Sequence, residues 1–368
     1  MMRPMKVVLA TGIYPPEIGG PATYVEKLAE ELSDMDIETC VVTYGVEECL
    51  VKSGKWKVVV VSKMGGPFIR WWRYAKALKE HASDADIVYA FSSVSCGVPL
   101  WLARLRGPQK VLRLGGDFFW ERYTDCGGRK SLREWYRKKR SHVRTFARFV
   151  MQRILSRFDH IVFSTEFQRD LYRDNYRLPQ NSVIENAVPT SRAREVERTK
   201  RSPFRLLVMS RLVRFKNLDS LVQAMQMLPN DFQLTIVGDG PRKRRLQRLV
   251  TQLDLHGRVA FTSSVHGKEK RSLMDMHDLL VLPSLTEISP NAALEARSNG
   301  LPVLLTEETG LSESLKRDMI VKPLRTPEQI ATAVHEISDS YPMSTSAPEA
   351  RPWSIVAQKH LDLFRSLA

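Results

Sequence analysis

Long apolar runs are missing from this chain of 368 residues. No stretch approaches the roughly eighteen apolar residues that read as a membrane-spanning helix. Cysteine is scarce: Cys40, Cys49, Cys96 and Cys126 are scattered without any Cys-x-x-Cys spacing. That argues against a zinc ribbon or a disulfide framework and suits a reducing cytoplasm. The opening residues Met1 to Lys6 lead straight into an apolar strand, so no signal peptide is read. Gly-x-Gly-x-x-Gly is absent too, since the first strand-to-helix loop carries an adjacent pair, Gly19 and Gly20. A dinucleotide fingerprint is thereby excluded. Acids are in short supply, 41 Asp and Glu against 56 Lys and Arg, giving a formal net charge of +15. Such an imbalance favours a polyanionic partner: nucleic acid, anionic lipid or a phosphorylated substrate.

What is present is alternation. Short apolar runs at 6–10, 38–43, 57–61, 86–90, 110–113 and 160–164 read as strands, separated by helix-period segments at 22–32, 70–81, 97–104 and 166–175. The second half repeats the pattern with strands at 205–209, 232–237, 258–261, 279–282 and 302–305. Strand and helix in strict turn argue for parallel sheets covered on both faces. Residues 190–202 are polar and lack apolar periodicity, which reads as a linker between domains 1–189 and 203–352; 339–352 reads as a loop and 353–367 as a last helix.

Three strand ends of the second half carry the chemistry. Ser210-Arg211-Leu212 with Lys216-Asn217 follows the first strand, and Val237-Gly238-Asp239-Gly240-Pro241 follows the next. Glu287, Ile288, Ser289, Pro290, Asn291, Ala292 and Glu295 span a loop-to-helix junction after the run Leu279 to Leu282. Ligands of open α/β sheets gather outside the carboxyl ends of strands. A helix beginning near Pro290 offers its free N–H groups to an anion.

These motifs, with Gly300-Leu301-Pro302-Val303 and the glycine pair, resemble the family 4 glycosyltransferases, the "group 1" retaining enzymes. The resemblance is ordered over nearly the whole chain and densest in 205–305. It implies the GT-B fold: two Rossmann-like, doubly wound parallel-sheet domains facing across a cleft, the last helix packing back on the first. It also implies transfer of a sugar from a nucleotide-diphosphate sugar to an acceptor hydroxyl, with retention and without a metal ion. By the same resemblance Arg211 and Lys216 clamp the donor diphosphate, Glu287 lies near the donor sugar and Glu295 holds the ribose. Gly19 and Gly20 form the loop beneath the phosphate and acceptor, while Gly238, Ser289, Pro290, Asn291 and Ala292 complete the donor contacts. The physics is consistent. Fixed cations stabilise the charge that grows on a departing diphosphate, and a carboxylate accepts both hydroxyls of a ribose diol.

The chain departs from the family where many members carry a histidine. Here Arg113-Leu114-Gly115-Gly116-Asp117 offers Asp117, as a substitute polar group or as a helix cap. Asp34-Met35-Asp36 and Asp84-Ala85-Asp86 precede or begin strands, so both read as turns and no metal or other cofactor is expected. Between Arg129 and Arg157 eleven Lys and Arg face one acid, Glu134, with Trp135, Val143, Phe146, Val150, Ile154 and Leu155 at helical spacing. A basic helical segment of this kind can lie on an anionic membrane surface or form a solvated face packed on its domain; the resemblance, which implies that many relatives use lipid or lipid-linked acceptors, favours the membrane. The reading that follows is a cytoplasmic enzyme, peripheral on the inner face of the plasma membrane, with a saccharide or lipid-linked acceptor of the cell envelope. Trp71 and Trp72 read first as an aromatic pair buried at least in part, with a second interfacial contact as the alternative. The rivals are a basic nucleic-acid-binding protein and an epimerase or phosphorylase on the same fold. Nucleic acid is not the expected partner, since charge alone would not place Arg211, Lys216, Glu287 and Glu295 at successive strand ends.

Overall fold

A computed structural model describes residues 3–17, 19–46, 48–137, 142–190, 195–346 and 348–368, with the side chains of 51–53, 142–143 and 195 left aside. Ile18 of the first loop, Lys138, Lys139 and Arg140 of the basic segment, the Val143 side chain and 191–194 of the linker lie outside the described residues. Contacts group the chain into two units. The first comprises 1–119, 138–187 and 352–368; the second comprises 120–137 and 188–351.

The first unit holds an eight-stranded sheet. Its order is β3 (Cys49–Ser53), β4 (Trp56–Ser62), β2 (Glu38–Gly45), β1 (Lys6–Ala10), β5 (Ile87–Ala90), β6 (Gln109–Leu114), β7 (His160–Phe163), β8 (Gln180–Val183). Neighbouring strands of this sheet run parallel except β3 and β4, which pair antiparallel. Val7 to Ala10 are all fully buried, as strands covered on both faces must be. Helix α1 (Gly20–Asp34) and the last helix, α14 (Trp353–Leu367), cover one face; Leu28 and Leu32 share a core with Val356, Leu361 and Phe364. The connections β4 to β5, β5 to β6 and β6 to β7 cross the sheet in the opposite direction from β1 to β2. Right-handed crossovers therefore put α2 (Pro67–His81), α3 (Gly97–Ala103) and α6 (His142–Leu155) on the other face. Tyr74 of α2 is fully buried there, its hydroxyl 2.6 Å from the Val42 carbonyl oxygen. The chain continues from β7 into α7 (Glu166–Arg173), capped by Thr165.

The second unit is built on a parallel sheet of order β12 (Val259–Thr262), β11 (Phe232–Val237), β10 (Phe204–Met209), β13 (Leu279–Leu282), β14 (Val303–Thr306), β15 (Ile320–Lys322). The helices that follow its strands are α8 (Leu218–Ala224), α9 (Lys243–Gln252), α10 (Gly267–Asp275), α11 (Asn291–Ser298), α12 (Glu313–Lys316) and α13 (Pro327–Asp339). Strand order reverses between β10 and β13. The loops leaving those two strands diverge to opposite faces, and this is where an open α/β sheet leaves a crevice.

Three features differ from the sequence reading. The stretch read as a linker contains β9 (Glu195–Arg198), which pairs antiparallel with β16 (Met343–Ser346) in the stretch read as a loop. Each strand has four residues and too little alternation to show by itself; the pairing makes them strands. Strand β3, a short edge strand, is likewise absent from that reading. Residues 120–137, which the sequence places in the first domain, group with the second unit. They hold the end of α4 (Phe118–Asp125) and all of α5 (Leu132–Arg137). Arg325 forks onto Glu134 at 2.8 and 2.9 Å, the Leu132 N–H donates to Thr286 Oγ1, and Trp120 packs on Phe215 with centroids 5.2 Å apart.

Candidate active site

The loop leaving β10 carries Arg211 and, in a single 3₁₀ turn over Arg214–Lys216, Lys216. The turn ends at Asn217, held in the left-handed region with φ 56°. Asn217 Nδ2 donates to the carbonyl oxygens of Leu324 and Arg325 at 3.0 and 3.2 Å, which fixes where the turn stops.

The neighbouring loop after β11 is zipped to this one. Ser210 N–H donates to Val237 O, Leu212 N–H to Asp239 O and Arg242 N–H to Leu212 O, at 3.1, 2.8 and 3.0 Å. Gly238 and Gly240 stand at φ 137° and 154°, and a Cβ on either would meet backbone: 2.0 Å from Ser210 O or 2.6 Å from Leu212 O. The Gly-x-Gly spacing is thus accounted for by loop-to-loop packing. Gly238 lets the Ser210 carbonyl, at the start of the Arg211 loop, pack against the β11 loop.

Glu287 leaves the end of β13 and is 4 % exposed. Its Oε1 accepts from Lys216 Nζ and from Ser284 Oγ, both at 2.6 Å. Its backbone is clamped as well: the Glu287 N–H donates to Glu308 O and the Gly310 N–H to Glu287 O. A third tie, from Leu285 N–H to Phe215 O at 2.8 Å, joins the β13 loop to the Lys216 turn. Lys216 and Glu287 are therefore positioned by one network of three strand-end loops. A buried ion pair needs such additional hydrogen bonds to offset its desolvation.

Helix α11 starts after Pro290, whose φ of −76° suits a helix entry. Ala293 and Ala296 are buried against the sheet, while Ser289, Asn291, Ala292 and Glu295 keep partial exposure on the other side. Glu295 lies one turn inside and is ion-paired with Lys270 of α10. Arg211 is half exposed, with Glu121 Oε2 3.9 Å away. Further along, Asp239 is held below the usual carboxylate range by Lys243 and by the Gly240 N–H. Arg325 does the same for Glu134, against a smaller opposing effect of burial.

The other candidates lie in the first unit. Gly19 caps α1, where a Cβ would come within 2.7 Å of Ile13 Cδ1, and Gly20 begins the helix. Asp117 is buried, 1 % exposed, and accepts from Tyr172 Oη at 2.8 Å. The structure thus gathers Lys216, Glu287 and Ser284 directly, and sets Arg211 on the same loop as Lys216. Sequence reasoning missed Ser284, Lys270 and Glu121. Ser284 had a local signal, three residues before Glu287, whereas the other two become partners only through the fold. Among the described residues no three His, Cys, Asp or Glu side chains cluster as metal ligands would, and no helix is long and apolar enough to cross a membrane.

Residues 190–350 match the family model for glycosyl transferases group 1, and residues 18–192 that for Glycosyltransferase Family 4. Among curated relatives, a phosphatidylinositol N-acetylglucosaminyltransferase component from Arabidopsis thaliana is 31 % identical over 159 residues. That stretch is 42 % of this chain and only 35 % of the plant protein. The sucrose-phosphate synthase of Thermosynechococcus elongatus has a similar structure, with a TM-score of 0.80 at 17 % identity over 99 % of both chains. HepE of Anabaena, solved with UDP and glucose, aligns with a TM-score of 0.71 at 16 % identity over 98 % of this chain and all of that one. Motifs, sheet order and these matches agree: the chain belongs to the group 1 glycosyltransferases, family 4, and has the GT-B fold.

Proposed function

We propose that the chain transfers a glycosyl group from a nucleotide-diphosphate sugar to an acceptor hydroxyl, with retention at the anomeric carbon and without a metal ion. The observation that carries this reading is the Lys216–Glu287 pair, set by Ser284 at the point where strand order reverses, with Arg211 on the same loop. The ammonium has three donors, and Glu287 takes one of them. Those left can meet a phosphate oxygen while Glu287 keeps the cation in place. Arg211, half exposed, adds a planar fork for the same diphosphate.

In this reading the bond between the anomeric carbon and the diphosphate oxygen breaks, and charge develops on that oxygen. Arg211, Lys216 and the N-terminus of α11 stabilise it more in the transition state than before. The acceptor oxygen attacks on the same face, and its proton passes to the departing phosphate oxygen, so no protein nucleophile is needed. Glu287 orients sugar hydroxyls. Glu295, moderately exposed and paired with Lys270, accepts the ribose diol. Gly19 and Gly20, where α1 begins, serve the phosphate and acceptor by close backbone approach. Asp117 is committed to Tyr172, which favours its structural role over its catalytic one.

The solved relative with UDP and glucose supports a nucleotide-linked donor. The plant relative, named for phosphatidylinositol, supports a lipid acceptor; the proposed acceptor is a lipid or lipid-linked saccharide of envelope glycan synthesis, met at the inner face of a membrane. The test is a panel of UDP- and GDP-sugars read by thermal shift, then transfer assays of Arg211→Ala and Glu287→Ala. A ligand bound only by the folded state raises the melting temperature with its affinity. Wild-type turnover in both variants would remove the assignment.

A further inference from the structure

The basic segment 129–157 does not stay together in the structure. Its first part belongs to the second unit, where Trp135 and Tyr136 are buried. Its second part is α6, on the same face of the first unit's sheet as α2 and α3. This face leaves large apolar side chains in water. Phe68, Ile69 and Trp72 of α2 are 80, 51 and 66 % exposed. Trp101 and Leu102 of α3 are 49 and 44 % exposed, and Phe146 and Phe149 of α6 are 67 and 57 %. Single exposed apolar residues need no explanation, but a group on one face does: larger exposed patches mark interaction sites.

Charge says what the face meets. Helix α2 carries Arg70, Arg73, Lys76 and Lys79 against Glu80; α6 carries Arg144, Arg148 and Arg153 and no acid. Cation and ring are presented together. The Arg157 guanidinium lies 5.4 Å from the Trp101 ring centre, tying the end of α6 to α3, and that of Arg153 lies 5.3 Å from Phe149. Between α2 and the β3–β4 hairpin a groove of about 500 Å³ opens beside Trp72, lined also by Leu50, Val59, Arg73 and Lys76 and by the acids Glu48 and Glu80. A protein partner for seven splayed side chains on three helices would need one wide apolar surface ringed by acids. A bilayer offers both at once, headgroup charge for the cations and acyl boundary for the rings.

We propose that the α2–α3–α6 face docks on an anionic lipid bilayer, inserting Phe68, Trp72, Trp101 and Phe149 at the acyl boundary with Lys and Arg heads among the phosphates. This deepens the membrane reading above by moving the contact from 129–157 as a whole to three helices of the first unit. Docking of this face does not depend on which sugar is transferred.

The experiment is flotation of the full chain with vesicles of phosphatidylglycerol in phosphatidylcholine, against phosphatidylcholine alone, with no sugar nucleotide present. Expected are binding to the anionic vesicles only, weakening as salt rises, and a blue shift of tryptophan emission. The double variant F68S/W72S should bind at least about tenfold more weakly, through lost insertion. Its melting temperature should match the wild type, since both side chains are more than half exposed. Failure of the wild type to float, undiminished binding by the double variant, or wild-type dimerisation abolished in it would each overturn the proposal. Nucleotide-sugar binding measured in the same preparations tells this failure apart from failure of the transferase reading.

Discussion

In the second unit Glu287 faces Lys216 and Glu134 faces Arg325, while Asp219 receives both Arg242 and Arg245. In the first unit the inward polar groups are arranged otherwise. Arg113 donates to the Ile184 carbonyl and the Asn186 side chain and lies over the Tyr24 ring, 4.0 Å from its centre. His360 bonds to Tyr24 Oη at 2.8 Å, and Asp117 to Tyr172. A cation whose ion pair leaves it spare donors, as Glu287 leaves Lys216, can still meet a ligand anion. Polar groups sealed behind aromatic rings cannot. The second unit thus places paired charges at and near its strand ends, and the first holds its inward polar groups fixed while turning apolar side chains outward.

The sharpest way to break this contrast is to remove the cations one at a time. Arg211→Ala should lower turnover about 10²- to 10³-fold, the loss for a transition-state donor. Its melting temperature should hardly change, because the side chain is half exposed. Lys216→Ala should lower turnover similarly and also destabilise, by about 3 kcal/mol, since it strands a carboxylate that is 4 % exposed. Steady-state kinetics beside urea melts would read both. Equal stability losses in the two variants would mean that Arg211 is structural as well.

Next in size is the glycine that lets the two loops meet. Gly238→Ala places a Cβ 2.0 Å from Ser210 O at a φ of 137°. About 3 kcal/mol of stability should go. Nucleotide binding should weaken with it, because the Arg211 loop is pushed off its seat. A melt that leaves both unchanged would separate the β11 loop from the site.

The sealed polar cluster of the first unit makes an acid-side prediction. Burial, and then the neighbouring Arg113, push the His360 pKa well below its ordinary value; Tyr24 and Tyr89 also face it. Burial lowers His160 too. A histidine lowered in the folded state binds fewer protons there than in the unfolded chain. Stability is therefore undiminished above pH about 6.5 and falls as pH drops below it, by up to about 1.4 kcal/mol per pH unit for each proton taken up on unfolding. His360→Gln should flatten that limb in melts run from neutral to acid pH. The second unit holds a similar residue, His277, where burial is opposed by the Leu273 carbonyl. A wild-type acid limb that survives unchanged in H360Q would assign it to His160 or His277.

How much of this is readable from sequence depends on distance along the chain. Strands β11 and β13 and helix α11 fall on the residues expected, because an unbroken apolar run or a proline at N-cap marks them locally. Lys216 and Glu287 are readable as motif members. Their direct pairing, 71 residues apart, and the aid of Ser284 are not. Strands β9 and β16 have no local signal, since each is a strand only through its partner. Trp72 reads as buried at least in part and is 66 % exposed, because helical spacing reveals a face without saying whether anything covers it. The placement of 120–137 is the least accessible of all, resting on side chains separated by up to 191 residues.

That placement yields the smallest effect. Glu134 accepts from Arg325 through both oxygens and from the Ser131 N–H. The Arg325 bond lowers its pKa. Both side chains are more than a third exposed, so solvent screens the pair and Glu134→Gln should cost only about 1 kcal/mol. The sign with pH is fixed. A carboxylate lowered in the folded state contributes its stability above the unfolded value near 4.5 and loses it as pH falls further. The informative readout is local. If Glu134 fastens α5 to the second unit, hydrogen exchange should speed up across Leu132–Arg137 and at Thr286, whose hydroxyl takes the Leu132 N–H. Thr286 adjoins Glu287, so a looser α5 should also raise KM for the donor while leaving kcat nearly unchanged. Faster exchange confined to α4, with Thr286 unaffected, would show that 120–137 is carried by Trp120 on Phe215 and not by the ion pair.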